Sequence, residues 1–289
     1  GDIRREQFFV ENSKGEPVLD SIIRYGNKYQ MDSAQNQNSL FGGLDTVEIA
    51  KPEIPFARDW SPLEKLNKER EYIGMYLSAH PLDDYEFEIN YICNTRTTDL
   101  KDLPPLYGKT LRIGGMVTAV RHGTSKAGNP YGILTLEDYD GAFEFALFGN
   151  NYIDFSKYML KDLYLLIVAT VQERGQDRKY FKPAEEGATK EYELKIQKID
   201  ILNDVRDKLV NDLTLTMPLD HLDEEFVTDM TDMVMTSKGN VNIYFNVVDN
   251  LNQSKIRLFA RQYRVKIDRQ FYRLLRKYKD DGKIDFQIN

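Results

Sequence analysis

Over the first 30 positions the apolar residues recur at helical steps. Val18, Ile22, Ile23, Tyr25 and Tyr29 form a stripe at three- and four-residue spacing, which predicts a helical segment. From Met31 to Trp60 that period gives way to Asn, Gln, Ser, Gly and Pro among charges, as in Gln35-Asn36-Gln37-Asn38-Ser39 and Lys51-Pro52-Glu53-Ile54-Pro55. This is the composition of a mobile linker. Ser61-Pro62-Leu63-Glu64 then supplies a helix start: Ser61 can accept from free amides, Pro62 suits the first turn, and Glu64 can reach back to close a capping box. A long helix should follow, with Leu63, Leu66, Ile73, Tyr76 and Leu77 on one face, ending at Ala79-His80-Pro81.

Between Leu106 and Asn203 the period changes to that of strands. Five are predicted, at 110–120, 131–138, 142–148, 163–174 and 191–202, with a short helix at 152–160 between the third and fourth. That element order belongs to an OB barrel, and Gly114-Gly115 suits the sharp bend of its first strand. Beyond Val205 the pattern reads strand 213–219, helix 223–235, strands 241–248 and 256–260, helix 269–279 and strand 284–288, a small α+β domain. The expected architecture is therefore multidomain α+β. It comprises a helical N-terminal segment (1–30), a linker (31–60), a long helix and connector (61–105), a five-stranded OB-fold β-barrel (106–203) and an α+β C-terminal domain (204–289).

The chain of 289 residues carries a net charge of -7, which argues against a wholly basic nucleic-acid coat protein. Any contact with phosphate must be local. The single cysteine, Cys93, leaves no internal disulfide and no cysteine-based zinc cluster, which fits a reducing cytoplasm. The longest apolar run, Leu163 to Val171, is about half of a bilayer span, so no membrane partner is expected. The start at Gly1-Asp2-Ile3, without Met and already inside a helical pattern, reads as a piece of a longer protein.

Catalytic constellations are absent from the sequence. His80, His122 and His221 fall in different modules without metal-ligand spacing, and there is no phosphate loop, nucleophile elbow or dinucleotide fingerprint. Acidic pairs read as local structure: Asp223-Glu224-Glu225 opens a helix, where carboxylates meet the positive end of its dipole, and Glu137-Asp138 leads into a turn at Asp140-Gly141. No cofactor or metal is expected.

Two regions suggest binding instead. In Gln37-Asn38-Ser39-Leu40-Phe41 an apolar pair stands in a polar linker, either pinning that linker to its own domain or seeking a pocket on another protein. In the second reading Leu40 and Phe41 fill a cleft while Gln37 bonds at its rim beside Ser39. On the barrel, ligands of this fold usually meet strands two and three and the loops joining strands one to two and four to five. Those places hold Arg121 and Lys126, then Arg174, Arg178, Lys179, Tyr180 and Phe181, with Tyr131 and Phe148 as candidate surface rings. Phe143, Phe145 and Leu147 alternate and should fill the barrel. Cations interleaved with stackable rings suit single-stranded nucleic acid.

With these residues laid out, the chain resembles the C-terminal region of the alpha subunit of bacterial DNA polymerase III. The resemblance rests on Asn67-Lys68-Glu69-Arg70-Glu71-Tyr72-Ile73-Gly74-Met75-Tyr76-Leu77-Ser78-Ala79-His80-Pro81-Leu82-Asp83, and on Gly114-Gly115-Met116-Val117-Thr118 through Lys126 and Gly128 to Leu134-Thr135-Leu136-Glu137-Asp138 and Phe148. It implies that Gln37, Ser39, Leu40 and Phe41 form an internal peptide for the sliding clamp (the beta subunit), with Asn38 departing from the Leu that the strongest such peptides prefer. It also implies single-stranded template DNA on the barrel, a last domain that in some members binds the tau subunit of the clamp loader, and catalytic aspartates located in a palm domain upstream. The fragment would then be a non-catalytic part of a nucleotidyltransferase, monomeric in isolation. Two rivals are an OB module for tRNA or other RNA and a structural spacer.

Overall fold

The computed structural model describes residues 3–38, 51–176 and 190–289. They form two compact units, 1–79 and 80–289.

In the first unit helix α1 (Val18–Asn38) carries the predicted stripe but continues past residue 30, into the stretch expected to be linker. Ala34, Gln35 and Gln37 are good helix formers, and their propensity outweighs the loss of an apolar face. Residues 53–59 are not free linker either. They lie along the turn at Arg5–Phe8, where Gln7 Nε2 donates to the Pro55 carbonyl at 3.0 Å, Arg4 Nη2 donates to the Ala57 carbonyl at 2.8 Å, and Arg4 pairs with Asp59. Helix α2 (Pro62–Ile73) opens with the predicted capping box: the Glu64 amide donates to Ser61 Oγ at 3.2 Å and the Ser61 amide to Glu64 Oε2 at 2.8 Å. It stops well before His80. Gly74 takes a left-handed φ of 89°, its amide closing on the Arg70 carbonyl, and the Leu77 and Ser78 amides fold back onto Glu69 Oε2 at 2.8 and 2.9 Å. Ile73 and Leu77, expected on a buried stripe, are consequently exposed.

The second unit begins with a connector of short turns, at Asp83–Tyr85, Glu88–Ile92 and Thr97–Lys101. The barrel follows as β1 (Thr110–Thr124), β2 (Pro130–Glu137), β3 (Ala142–Phe148), helix α3 (Gly149–Phe155), β4 (Tyr164–Glu173) and β5 (Tyr192–Ile201), in the order β3-β2-β1-β4-β5. This is an OB fold. Ile113, Val117, Leu134, Leu136, Phe145, Leu147, Ile167 and Ile199 point into a common core, each contributing roughly 1.5–3 kcal/mol on burial. Phe143 packs against its edge. Gly114 and Gly115 serve close approach rather than a bend: a Cβ on Gly115 would lie 2.5 Å from the Glu137 carbonyl oxygen, and one on Gly114 2.6 Å from Ile89 of the connector. Asp138 fixes the connector from the other side, accepting from the Thr97 amide and hydroxyl, both at 2.7 Å, and from the Asp140 and Gly141 amides.

After helix α4 (Val205–Leu209) the C-terminal domain runs β6 (Asp212–Pro218), α5 (Glu224–Thr236), β7 (Lys238–Asp249), β8 (Ser254–Val265), α6 (Arg269–Asp280) and β9 (Asp285–Ile288). The sheet order is β8-β7-β6-β9, with β6 and β7 parallel across the α5 crossover. Asp223 and Asp268 cap the two longer helices, accepting from Phe226 and Phe271 amides. These helices meet through an edge-to-face contact of Phe226 and Tyr278 at 5.0 Å.

Candidate nucleic-acid interface

The outer face of β1–β2–β3 is set by one irregularity. Leu111, Ile113 and Val117 point into the core at strand spacing, and strict alternation would send Arg121 and Gly123 inward as well. The register shifts between Val117 and Ala119, and this bulge reverses the parity. Val120 then packs on the core, while Arg121 and Gly123 face outward. Cross-strand pairing builds three outward rows: Ala119, Thr135 and Glu144; Arg121, Ile133 and Ala146; Gly123, Tyr131 and Phe148.

The last row is an aromatic platform. Tyr131 and Phe148 stack with centroids 5.5 Å apart at 28°, and Phe148 is 59% exposed. The Tyr131 ring lies over Gly123, where a Cβ would meet it at 2.7 Å, so the glycine makes room for the ring. Arg121 belongs to strand β1, not to the predicted loop, because the β1–β2 ladder continues to Thr124 and Pro130. The loop itself, Ser125–Asn129, is a closed turn: the Ser125 amide donates to the Asn129 carbonyl at 2.8 Å, the Gly128 amide to the Ser125 carbonyl at 2.9 Å, and Gly128 has φ 80°. Lys126 sits exposed on it, with no ion pair among the described residues.

The barrel leaves a groove of about 390 Å³ between β3 and β5, lined among others by Glu144, Phe148, Arg174, Tyr192 and Lys195. Phe148 and Arg174, distant in sequence, thus line one cleft. Both Arg121 and Arg174 hold carboxylates, Glu144 at 2.8 Å and Glu191 at 2.9 Å. Exposed pairs of this kind contribute about 0–1 kcal/mol, so a phosphate oxygen can take the place of either carboxylate at small cost. Arg178, Lys179, Tyr180 and Phe181 lie outside the described residues. So do Ser39, Leu40, Phe41 and the side chain of Gln37, which belongs to the last turn of α1.

Sequence reasoning missed Gly123, Tyr192 and Lys195. The first was readable only with the β1–β2 register known; the other two needed the facing of β5 and β3. Among the described residues no group of three His, Cys, Asp or Glu side chains is placed to hold a metal, and no helix is long and apolar enough to cross a membrane. Burial pushes the Cys93 thiol up to about 12, leaving it protonated against the barrel.

Residues 111–202 match the family described as OB-fold nucleic acid binding domain, and residues 213–289 match DNA polymerase III alpha subunit, C-terminal domain. A DNA polymerase III subunit alpha of Haemophilus influenzae is 28% identical over 235 residues, covering 78% of this chain and 19% of that protein. The Pasteurella multocida subunit alpha is 24% identical over 275 residues, covering 93% and 22% respectively. That of Escherichia coli K12 is 31% identical over 156 residues, covering 53% and 13%. The chain therefore spans about a fifth of the length of the first two relatives. Among solved structures, the mitochondrial single-stranded DNA binding protein Rim1 of S. cerevisiae matches 32% of this chain and 95% of its own at 15% identity, with a TM-score of 0.22.

Proposed function

We propose, for a chain similar to the C-terminal region of bacterial DNA polymerase III alpha subunits and containing an OB-fold nucleic-acid-binding domain, that it holds single-stranded template DNA and tethers its polymerase to the sliding clamp. The observation that carries the DNA part is the outward Tyr131–Phe148 stack, with Arg121 on the neighbouring row and Lys126 at the adjoining turn. Bases stack on exposed rings without regard to sequence, and cations follow the phosphate backbone. The groove holding Phe148 and Arg174 extends that track towards the turn after β4.

The tether is supported by sequence: Gln37, Ser39, Leu40 and Phe41 offer a rim donor and two apolar anchors. Tethering raises the effective concentration of polymerase on primed DNA, so modest affinity is enough. The C-terminal domain is the place for a clamp-loader tau contact.

Two measurements test this. Labelled single-stranded DNA titrated at low salt should bind, and Tyr131→Ala/Phe148→Ala should abolish most of that binding; no binding by the unaltered chain would refute the template role. A pull-down on purified clamp should retain the chain and lose Leu40→Ala/Phe41→Ala, whereas equal retention would leave the tether without support.

A further inference from the structure

The two faces of the C-terminal sheet are unlike. Leu213, Leu215, Met217, Val241 and Ile243 are buried on one. The pairing places Val248 with Lys255, Asn246 with Arg257, Tyr244 with Phe259 and Asn242 with Arg264 on the other, beside Thr214 and Thr216 of β6. On that second face Tyr244 and Phe259 stack with centroids 4.8 Å apart at 19°, Arg257 lies 4.6 Å over the Tyr244 ring, and Phe259 is 44% exposed. The strand carrying these cations is an edge, exposed along almost all its length.

Charge is the second observation. The run Ser254-Lys255-Ile256-Arg257-Leu258-Phe259-Ala260-Arg261-Gln262-Tyr263-Arg264-Val265-Lys266 contains five cations and no acid, in a chain of net charge -7. Among the described residues Lys255, Arg257, Arg261 and Arg264 form no ion pair, and Lys266 alone approaches a carboxylate, Asp207 at 3.9 Å. Carboxylates near the sheet are engaged elsewhere: Asp212 accepts from Asn242 and Asp285 pairs with Lys279. Unpaired cations repel one another, and keeping them together on an exposed edge costs stability unless a polyanion neutralises them.

We propose that this open face is a second surface for single-stranded nucleic acid, with a base stacked on Phe259 and phosphates held by Lys255, Arg257, Arg261 and Arg264. An exposed edge strand of aromatics and arginines is suited to unstacked bases, since both rings and guanidinium planes offer flat partners. An acidic protein segment would use the cations but has no need of the ring stack.

The test uses the full chain carrying Tyr131→Ala/Phe148→Ala, so that the barrel face is disabled, and a fluorescent thymidine homopolymer. Residual low-salt binding should fall roughly tenfold in Phe259→Ala. In Arg257→Glu/Arg264→Glu the slope of log affinity against log salt should shrink by about 1.4, the value for two lost phosphate contacts on a single strand. Phe259→Tyr should restore binding, which separates ring loss from misfolding. A bromodeoxyuridine oligonucleotide should photocrosslink to Tyr244 or Phe259 in the unaltered chain. Crosslinks confined to Tyr131 and Phe148, or unchanged affinity in both variants, would overturn the assignment. So would a polyglutamate peptide that displaces the oligonucleotide at equal residue concentration. Unchanged oligonucleotide affinity in Tyr131→Ala/Phe148→Ala, with crosslinks found only at Tyr244 or Phe259, would leave this assignment standing and refute the template role of the barrel alone.

Discussion

The outer face of the barrel and the open face of the C-terminal sheet use the same device, a cross-strand pair of stacked rings beside arginines, in opposite electrostatic settings. On the outer face of the barrel two arginines are held by carboxylates, Arg121 by Glu144 and Arg174 by Glu191. On the C-terminal sheet Arg257, Arg261 and Arg264 have no acid within ion-pair distance among the described residues. A neutralised face relies more on stacking, and its affinity should depend weakly on salt. An unneutralised face attracts any strand at long range and should depend on salt steeply. A sequence-tolerant holder of DNA gains from having both.

The largest expected effect breaks the connection between the two faces. Glu88 of the connector and Arg206 of α4 form a buried bidentate pair, both contacts at 2.8 Å, with side chains 3% and 15% exposed. The guanidinium also lies 4.9 Å over the Phe87 ring and donates to the Ile267 carbonyl. Glu88→Ala leaves that guanidinium buried without its carboxylate, which should cost about 3–5 kcal/mol, read by urea unfolding. An oligonucleotide long enough to reach both faces should then lose part of its advantage over the stronger face alone, because looser docking lowers the effective concentration of the second contact. Unchanged stability would mean the pair does not hold the unit together.

Next come the rings. Phe148→Ala should lose about 1–3 kcal/mol of oligonucleotide binding with little change in salt slope. Gly123→Ala should lose part of the same amount, since the added Cβ would sit 2.7 Å from the Tyr131 ring and must displace it. A ring left in place by that substitution, with full affinity, would show that Tyr131 contributes little to the platform. Smaller still is Glu144→Gln, which frees Arg121. Affinity should rise, by less than about 1 kcal/mol, and the salt slope of the barrel should move towards that of the C-terminal sheet. A fall in affinity would mean that Glu144 orients Arg121 rather than competing for it.

Much of this could be read from the chain, for identifiable reasons. The strands from 110 to 201 were legible because β2, β3 and β5 alternate apolar with polar residues at a period of two, β4 is a short continuous apolar run, and Asp140-Gly141 marks the turn between β2 and β3. The capping box at Ser61 and Glu64 was legible because capping is local. The end of α2 was misread because Gly74 resembles an interior glycine until its left-handed φ is known. Residues 53–59 read as linker because their anchors, Arg4 and Gln7, are about fifty positions away and their bonds run to backbone carbonyls. The outward direction of Arg121 depends on a bulge with no sequence mark of its own. The exposed sheet face is not legible for a different reason: the pattern reads only 256–260 of the basic run 254–266 as a strand, and strand pattern alone does not tell which face a covering helix will take.

The smallest effect concerns acid, and it separates the two domains by another route. Three aspartates of the C-terminal domain are held below the usual aspartate value of 3.8 by hydrogen bonds: Asp223 from Lys283 and the Phe226 amide, Asp249 from the Asn252 side chain and amide, and Asp285 from Lys279 and the Phe286 amide. A carboxylate whose folded value is depressed contributes stability that is fully present above its unfolded value and is lost as pH falls through the folded one. The domain should therefore loosen as pH falls below the ordinary aspartate range, seen as faster amide exchange in α5 and β9 than in the strands of the barrel. Asp223→Asn and Asp285→Asn should flatten that dependence, since asparagine cannot ionise and forms no ion pair with Lys283 or Lys279. If the barrel strands exchange first instead, the acid-sensitive contacts lie there, and these two ion pairs do not set the order in which the domains open.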